Sequence, residues 1–291
     1  MSGRIGLIDV DGHNFPNIAM MKISAWHKSQ GDHVEFANIC ERYDMVYKSK
    51  VFTFSPDDET CMNTDKTIIG GTGYNVKSKL PEQIDSMFPD YTLYNCDHAY
   101  GFLTRGCIRK CPWCIVPEKE GKIRPDSTIE KICGDNYKSA ILMDNNVLAS
   151  DHGIKQIEEI IKLKIKVDFN QGLDARLIDN SISKLLSKVK WLHAIRLACD
   201  SPEMMEPVRK AVELLRWNNV KPQRFFVYTM INNIPESIER LKFIKGLYCE
   251  PFAQPYRDFK KNTEPTREQK DLARWVNQTA IFNSVPLEEY R

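Results

Sequence analysis

Arg105-Gly-Cys-Ile-Arg-Lys-Cys-Pro-Trp-Cys-Ile-Val-Pro117 places Cys107, Cys111 and Cys114 in a C-x3-C-x2-C spacing. Three thiolates this close in sequence can hold three irons of a [4Fe–4S] cluster and leave the fourth iron open. Four-cysteine clusters are closed and carry electrons. An open iron can bind a further molecule, which turns an electron carrier into a reaction centre. The competing reading is zinc, with Cys96, His98 or Cys133 as a fourth ligand. Zinc favours two separated pairs of ligands, and no second pair follows this run.

The rest of the chain bounds what such a site can sit in. At 291 residues, 42% hydrophobic and 27% charged, it has ordinary globular composition and room for two domains at most. A net charge of +2 gives no global basic field for nucleic acid. The local basic runs, Arg105 to Lys110 and Lys162, Lys164 and Lys166, read as solvated faces. Nine cysteines, an odd number, without a signal peptide argue against a secreted disulfide scaffold and fit a reducing cytoplasm. No apolar run approaches the ~18 residues of a membrane span.

Residues 1–97 read as a small α/β unit. Arg4 to Val10 is a strand, Asp11-Gly-His-Asn-Phe-Pro16 a loop, and Asn17 to Lys28 an amphipathic helix. Further strands are expected at Val34 to Ala37, within Tyr43 to Phe54, and from Thr67 into Gly70-Gly71. Residues 98–261 alternate strand and helix. Strands are expected at Ala99–Thr104, Ser139–Met143, Lys166–Phe169, His193–Ala198, Arg224–Met230 and Glu250–Tyr256. The expected helices are Ile129–Cys133, Ile154–Lys162, Ser181–Lys188, Pro202–Trp217 and Pro235–Leu247. Such alternation implies a parallel sheet with ligands at the carboxyl ends of the strands. Six units are too few for a closed eight-stranded barrel. Residues 262–291 read as a helix, Arg267 to Phe282, and a tail. Trp191, Trp217 and Trp275 read as core, and Cys133, Cys199 and Cys249 as small buried residues.

The cysteine run, with aromatic Trp113 before its last cysteine, resembles the radical S-adenosylmethionine (SAM) superfamily. The continuation Ile115-Val-Pro-Glu-Lys-Glu-Gly121 and Lys122-Ile-Arg124 is similar to its cobalamin-binding and methylthiotransferase branches. The resemblance implies an α/β fold: an N-terminal Rossmann-like, cobalamin-domain-like parallel sheet followed by a partial (β/α)6 barrel. It implies that the open iron chelates the amino and carboxylate groups of SAM. One electron, from a flavodoxin- or ferredoxin-type donor, would cleave SAM to a 5′-deoxyadenosyl radical. Trp113 would lie against the adenine.

The same resemblance implies roles at the strand ends. Asp144, Asn145 and Asn146 would accept from the amino group of SAM, or act as a turn or helix N-cap. Gln171, Asp174 or Arg176 would reach its ribose or carboxylate. Arg196 would pair with the SAM carboxylate or form a buried salt bridge. Asp200, in Asp200-Ser-Pro202, stands where related enzymes have a Glu-Ser-Gly-like segment, and Arg257 would face the substrate. In the first unit, Asp11-Gly-His13, Ser49-Lys-Val51 and Gly70-Gly71 are similar to the cobalamin signature. His13 would ligate cobalt, oriented by Asp11, and Gly70 and Gly71 would admit the nucleotide tail. A second cluster, as in methylthiotransferases, would have only Cys40, Cys61 and Cys96, which lack the family spacing. With cobalamin the expected outcome is methyl transfer. Without it the radical would drive rearrangement, oxidation or sulfur insertion. The alternatives are methylthiotransferase-like modification of RNA or protein, and a non-enzymatic iron–sulfur or zinc protein.

Overall fold

In a computed structural model the chain divides into two compact units, Met1–Tyr100 and Gly101–Arg291. The structure describes residues 2–13, 15–222, 224–258, 261 and 263–290. Asn262, where the C-terminal segment was expected to begin, lies outside them. Both units are mixed α/β with parallel sheets. No helix among the described residues is long and apolar enough to cross a membrane.

The first unit is a four-stranded parallel sheet in the order His33–Phe36, Arg4–Asp9, Met45–Ser49, Thr67–Gly70. The helix Ile18–Ser29 crosses between the first two strands in sequence. Asn17 caps it, its side-chain oxygen accepting from the N–H groups of Ala19 and Met20. Ile5 and Leu7 of the central strand pack with Met20, Ile23, Val34 and Ile84. A short parallel ladder not foreseen from the sequence, Arg42–Tyr43 with Asn63–Thr64, lies beside this sheet.

The second unit carries its strands in chain order. Ser139–Leu142 pairs with Lys166–Phe169, which pairs with Lys190–Trp191. Ala194–Ala198, Arg224–Ile231 and Glu250–Pro255 form the neighbouring parallel sheet. Gly101, closing the strand Ala99–Gly101, accepts from Met143 N–H at 2.9 Å. Ile231, Leu241, Ala253, Leu272, Ala273, Val276 and Phe282 form one core cluster beneath the second sheet, with Trp275 packed against it.

Three details depart from the sequence reading. The expected strand Ala99–Thr104 ends at Gly101, and Thr104–Arg105 pairs antiparallel with Arg124–Pro125. The expected helix Arg267–Phe282 breaks into Arg267–Asn277 and Thr279–Ser284. At the break the Asn277 side chain leaves its helix and bonds both backbone groups of Ala253, at 2.8 and 2.9 Å. Trp217 is 83% exposed. Its helix, Met205–Trp217, buries the stripe Val208, Ala211, Val212 and Leu215, and position 217 falls off that stripe.

Gly71 sits at φ +96°, and a Cβ there would lie 2.3 Å from the Lys50 carbonyl oxygen. Gly31 has a similar φ of +87° but open space around it. A left-handed backbone alone costs a non-glycine residue about 1–2 kcal/mol. Gly31→Ala should therefore cost about 1 kcal/mol, and Gly71→Ala more than about 2 kcal/mol, by urea denaturation. Equal losses would show that the Lys50 contact yields freely.

Candidate active site at the strand ends

The cysteines lie on a loop closed on itself at its base. Thr104–Arg105 pairs with Arg124–Pro125, and Cys107 N–H donates to Gly121 O at 3.2 Å. Gly106 makes the closure possible: its φ is +80°, and a Cβ would lie 2.4 Å from the Lys122 carbonyl oxygen. Glu120 reinforces the base from inside, its carboxylate 2.9 Å from Arg105 and 3.7 Å from Arg124. The Arg105 guanidinium also stacks 3.5 Å from the centroid of the Phe102 ring. Within the loop, Cys114 N–H donates to Cys111 O at 3.0 Å, a tight turn that brings the last two cysteines together.

Asp144 holds the start of this loop. Buried at 2% exposure, it accepts from Leu103 N–H at 3.2 Å, Thr104 N–H at 2.6 Å and the Thr104 hydroxyl at 2.7 Å. Both oxygens are thus used within the protein, and the acceptor expected for the amino group of SAM serves as a backbone bracket. Burial raises its pKa from 3.8 to about 6, against the lowering effect of those three donors.

The next strand end supplies Asn145 and Asn146. Asn146 is 2% exposed. Its Nδ2 donates to the Cys107 sulfur at 3.5 Å and to Asp174 Oδ2 at 3.1 Å. The Asn145 Nδ2 and Asn146 Oδ1 atoms are buried with no hydrogen-bond partner among the described residues. Such orphaned groups are costly unless a ligand or water completes them.

Asp174, after the Lys166–Phe169 strand, collects the network. It accepts from Arg109 Nε at 3.0 Å, from Asn146 at 3.1 Å, and from Arg176 Nε at 2.7 Å. Burial raises its pKa, but the Arg176 and Arg109 hydrogen bonds outweigh that, and the carboxyl is held below its ordinary range. Gln171 and Arg176 are exposed at the same loop. The Cys111 thiol is pushed up by burial and drawn down by Arg176, with Cys107, Asp200 and Asp174 adding to the rise. Burial also raises Cys114. The structure thus brings the cysteine loop together with residues from two strand ends. Trp113 is half-buried within that loop.

Other expected residues fall elsewhere. Arg196 forms the buried salt bridge, with Asp168, and its guanidinium lies 5.7 Å from the Phe226 ring centroid. Asp200 accepts from Met230 N–H at 3.0 Å, and burial raises its pKa. Arg257 pairs with Glu264. Two residues that matter were missed. Arg109 was read as part of a solvated basic run, although its position between two cysteines was a signal. Arg240, fully buried, bonds the carbonyls of Cys199 and Met230 at 2.8 and 3.0 Å, a role with no sequence signature.

Among the described residues no group of three or more His, Cys, Asp or Glu side chains gathers closely enough to hold a metal ion. All nine cysteines are free. Cys133, one candidate fourth ligand for zinc, is buried, and burial pushes its thiol to about 11. Cys40 and Cys61 are exposed, and they form no ligand group with Cys96.

In the first unit the residues of the cobalamin signature are used internally. Asp11 accepts from Val51 N–H at 2.8 Å and Phe52 N–H at 2.7 Å, rather than orienting His13. His13 is exposed in a turn with φ +44°. Ser49 accepts from Asn17 Nδ2 at 3.0 Å. The space beside Gly71 is filled by the Lys50 backbone rather than left for a nucleotide tail. Gly70 has only Ser78 Oγ near its missing Cβ, at 3.6 Å. These residues do not fit a cobalt-ligating device.

No family model matches the chain, and no curated protein does. The chain is similar to solved structures of Streptococcus suis SuiB. The form bound to S-adenosylmethionine is 12% identical over 64% of this chain and 48% of that chain, with a TM-score of 0.47. The form bound to precursor peptide SuiA is 15% identical over 62% of this chain and 44% of that chain, with a TM-score of 0.45. This chain spans about half the length of those proteins.

Asp144 gives the site a pH signature. A carboxyl whose folded pKa of about 6 lies above 3.8 binds its proton more tightly in the folded chain. Its contribution to stability is full below about pH 4, falls between pH 4 and 6, and is lost above that range, about 3 kcal/mol in all. Asp144→Asn should flatten the urea-denaturation stability profile across that window by up to that amount. An unchanged slope would show that Asp144 titrates normally.

Proposed function

We propose that the chain is a radical SAM enzyme in which Cys107, Cys111 and Cys114 would hold three irons of a [4Fe–4S] cluster. One observation carries the reading: Asn146 and Asp174, from the next two strand ends, hydrogen-bond the self-closed cysteine loop at Cys107 and Arg109, and Arg176 braces Asp174. The residues fit such a group. The donor set is three soft sulfurs, which suits iron–sulfur chemistry. Three cysteine ligands would leave one of the four irons open. The orphaned Asn145 Nδ2 and Asn146 Oδ1 offer a donor and an acceptor to whatever binds beside them.

The cluster and SAM, when bound, supply a 5′-deoxyadenosyl radical that takes a hydrogen atom from an unactivated carbon. The rest falls to this chain. Arg176 spends Nε and one Nη on Asp174, at 2.7 and 3.1 Å, and its remaining N–H donors could reach a carboxylate. The Asn146 carbonyl can accept from an ammonium. Trp113 offers an apolar face for an adenine ring. Asp144 and Glu120 hold the start and the base of the cysteine loop, from which the three sulfurs would close on the cluster as they lose their protons.

The finer architecture follows the same reading. The six strands in chain order are a partial (β/α)6 barrel spanning residues 98–261, followed by a helical C-terminal segment. Residues 1–97 are a Rossmann-like domain that keeps the outline of a cobalamin domain without its ligand device, so methyl transfer through cobalamin is not proposed. A flavodoxin- or ferredoxin-type protein would supply electrons, and an oxygen-sensitive cluster with nine free cysteines suits a reducing cytoplasm.

Anaerobic reconstitution tests the assignment. The reduced protein should hold about four irons per chain. Its electron paramagnetic resonance spectrum should change on adding SAM. Cys111→Ser should lose both the visible absorbance and SAM cleavage. Arg176→Ala should keep the iron and weaken SAM binding about tenfold, the equivalent of about 1.4 kcal/mol. Zinc in place of iron, or a spectrum blind to SAM, would overturn the proposal.

A further inference from the structure

We infer that Asn146 is a positioning residue that sets the reduction potential of a cluster held by Cys107, through a side-chain N–H···S hydrogen bond. The inference rests on the radical SAM reading and deepens it. The geometry is specific. An amide nitrogen carries two hydrogens. One of those on Asn146 points at the Cys107 sulfur, 3.5 Å away, and the other at Asp174 Oδ2, 3.1 Å away. Both hydrogens are thereby used, and the opposite rotamer of the amide would set its carbonyl against a carboxylate. Asp174 therefore fixes which end of Asn146 faces the sulfur. Asp174 is itself fixed, by Arg109 Nε at 3.0 Å and Arg176 Nε at 2.7 Å.

The arrangement is also dry. Asn146 is 2% exposed and the Asp174 side chain 5% exposed, so water does not compete for the sulfur from that side. The same sulfur accepts from the Arg109 backbone N–H at 3.3 Å. The Cys114 sulfur has a backbone donor, the N–H of Val116, and no side-chain donor to the sulfurs of Cys111 or Cys114 is among the hydrogen bonds described. Hydrogen bonds to ligating sulfurs are one of the protein's levers on cluster potential. They stabilise negative charge on sulfur, and negative charge grows when the cluster gains an electron. A donor at Cys107 thus favours the reduced state and raises the potential. A low-dielectric surrounding strengthens the effect.

The test is a potentiometric titration of reconstituted protein, full chain, followed by electron paramagnetic resonance. Each chain takes up one electron from the titrant, dithionite, with no bond made or broken. Asn146→Leu keeps the side-chain shape and removes the donor. At a fixed potential its oxidised-to-reduced ratio should rise about tenfold, a fall of about 59 mV for a one-electron couple. Asn146→Asp replaces the donor with a second carboxylate and should lie lower still. Iron and sulfide counts separate the two levels of failure. If the wild-type chain holds no cluster, the radical SAM reading fails. If wild type and variants load alike and share one potential, only this inference fails. Should both variants fold, judged by circular dichroism, yet fail to load, Asn146 is needed for ligand placement and the tuning role is overturned.

Discussion

A single buried carboxylate, Asp174, holds the candidate site in place. Taking a carboxylate out of water costs several kcal/mol unless charge and hydrogen bonds replace the lost solvation. Here two guanidiniums and an amide do so, and each comes from a different part of the chain. Arg109 belongs to the cysteine loop, Asn146 to the end of the preceding strand, and Arg176 to Asp174's own loop. None of the three loops can move far without leaving that charge short of partners. The sheet fixes where the strands end. Asp174 fixes how the loops leaving those ends face one another.

The parts that were legible in the sequence are those set by local spacing. C-x3-C-x2-C names its own chemistry. The alternation of apolar runs with helical periodicity located the strands and helices that carry the polar loops, and Asp144, Asn146, Asp174 and Arg176 were picked out because they follow strands. What the sequence could not show was how polar atoms are divided between backbone and ligand. Asp144 reads as an acceptor facing outward. Its carboxylate turns instead to the N–H groups of Leu103 and Thr104, just past the end of the first strand at Gly101. Arg109 and Arg240 find their partners through contacts that depend on the fold, and the sequence separations, 65 residues for Arg109–Asp174 and 41 for Arg240–Cys199, carry no pattern.

The first unit shows the same division of labour with the opposite consequence. Loops that leave the ends of a parallel sheet expose unpaired N–H groups, and an aspartate or serine at the strand end is a general way to satisfy them. Asp11 does this for Val51 and Phe52, and Ser49 serves the cap residue of the first helix. Short motifs built from Asp, Ser and Gly at strand ends therefore arise from loop closure alone. They mark a ligand site only where atoms are left over. In the first unit the oxygens of Asp11 and Ser49 are taken up by the protein itself. In the second, Asn145 and Asn146 keep buried polar atoms that the protein itself does not complete.

Leftover atoms and raised thiols point the same way. Burial lifts the thiols of Cys111 and Cys114, so the neutral form is favoured until something replaces the proton. Arg176 opposes this at Cys111, and its charge would favour an anionic ligand as readily as a thiolate. A site that raises its thiols by burial, yet keeps a guanidinium and two unsatisfied amide atoms beside them, gains most from a partner that is cationic toward sulfur and polar toward the strand ends. Metal ligation supplies the first, because protons leave as sulfur–metal bonds form. On the proposed reading a small zwitterion would supply the second, since an arginine suits a carboxylate and an amide carbonyl can accept from an ammonium. Asp174 joins the two sides, holding Arg109 of the cysteine loop and Arg176 of its own loop on one carboxylate.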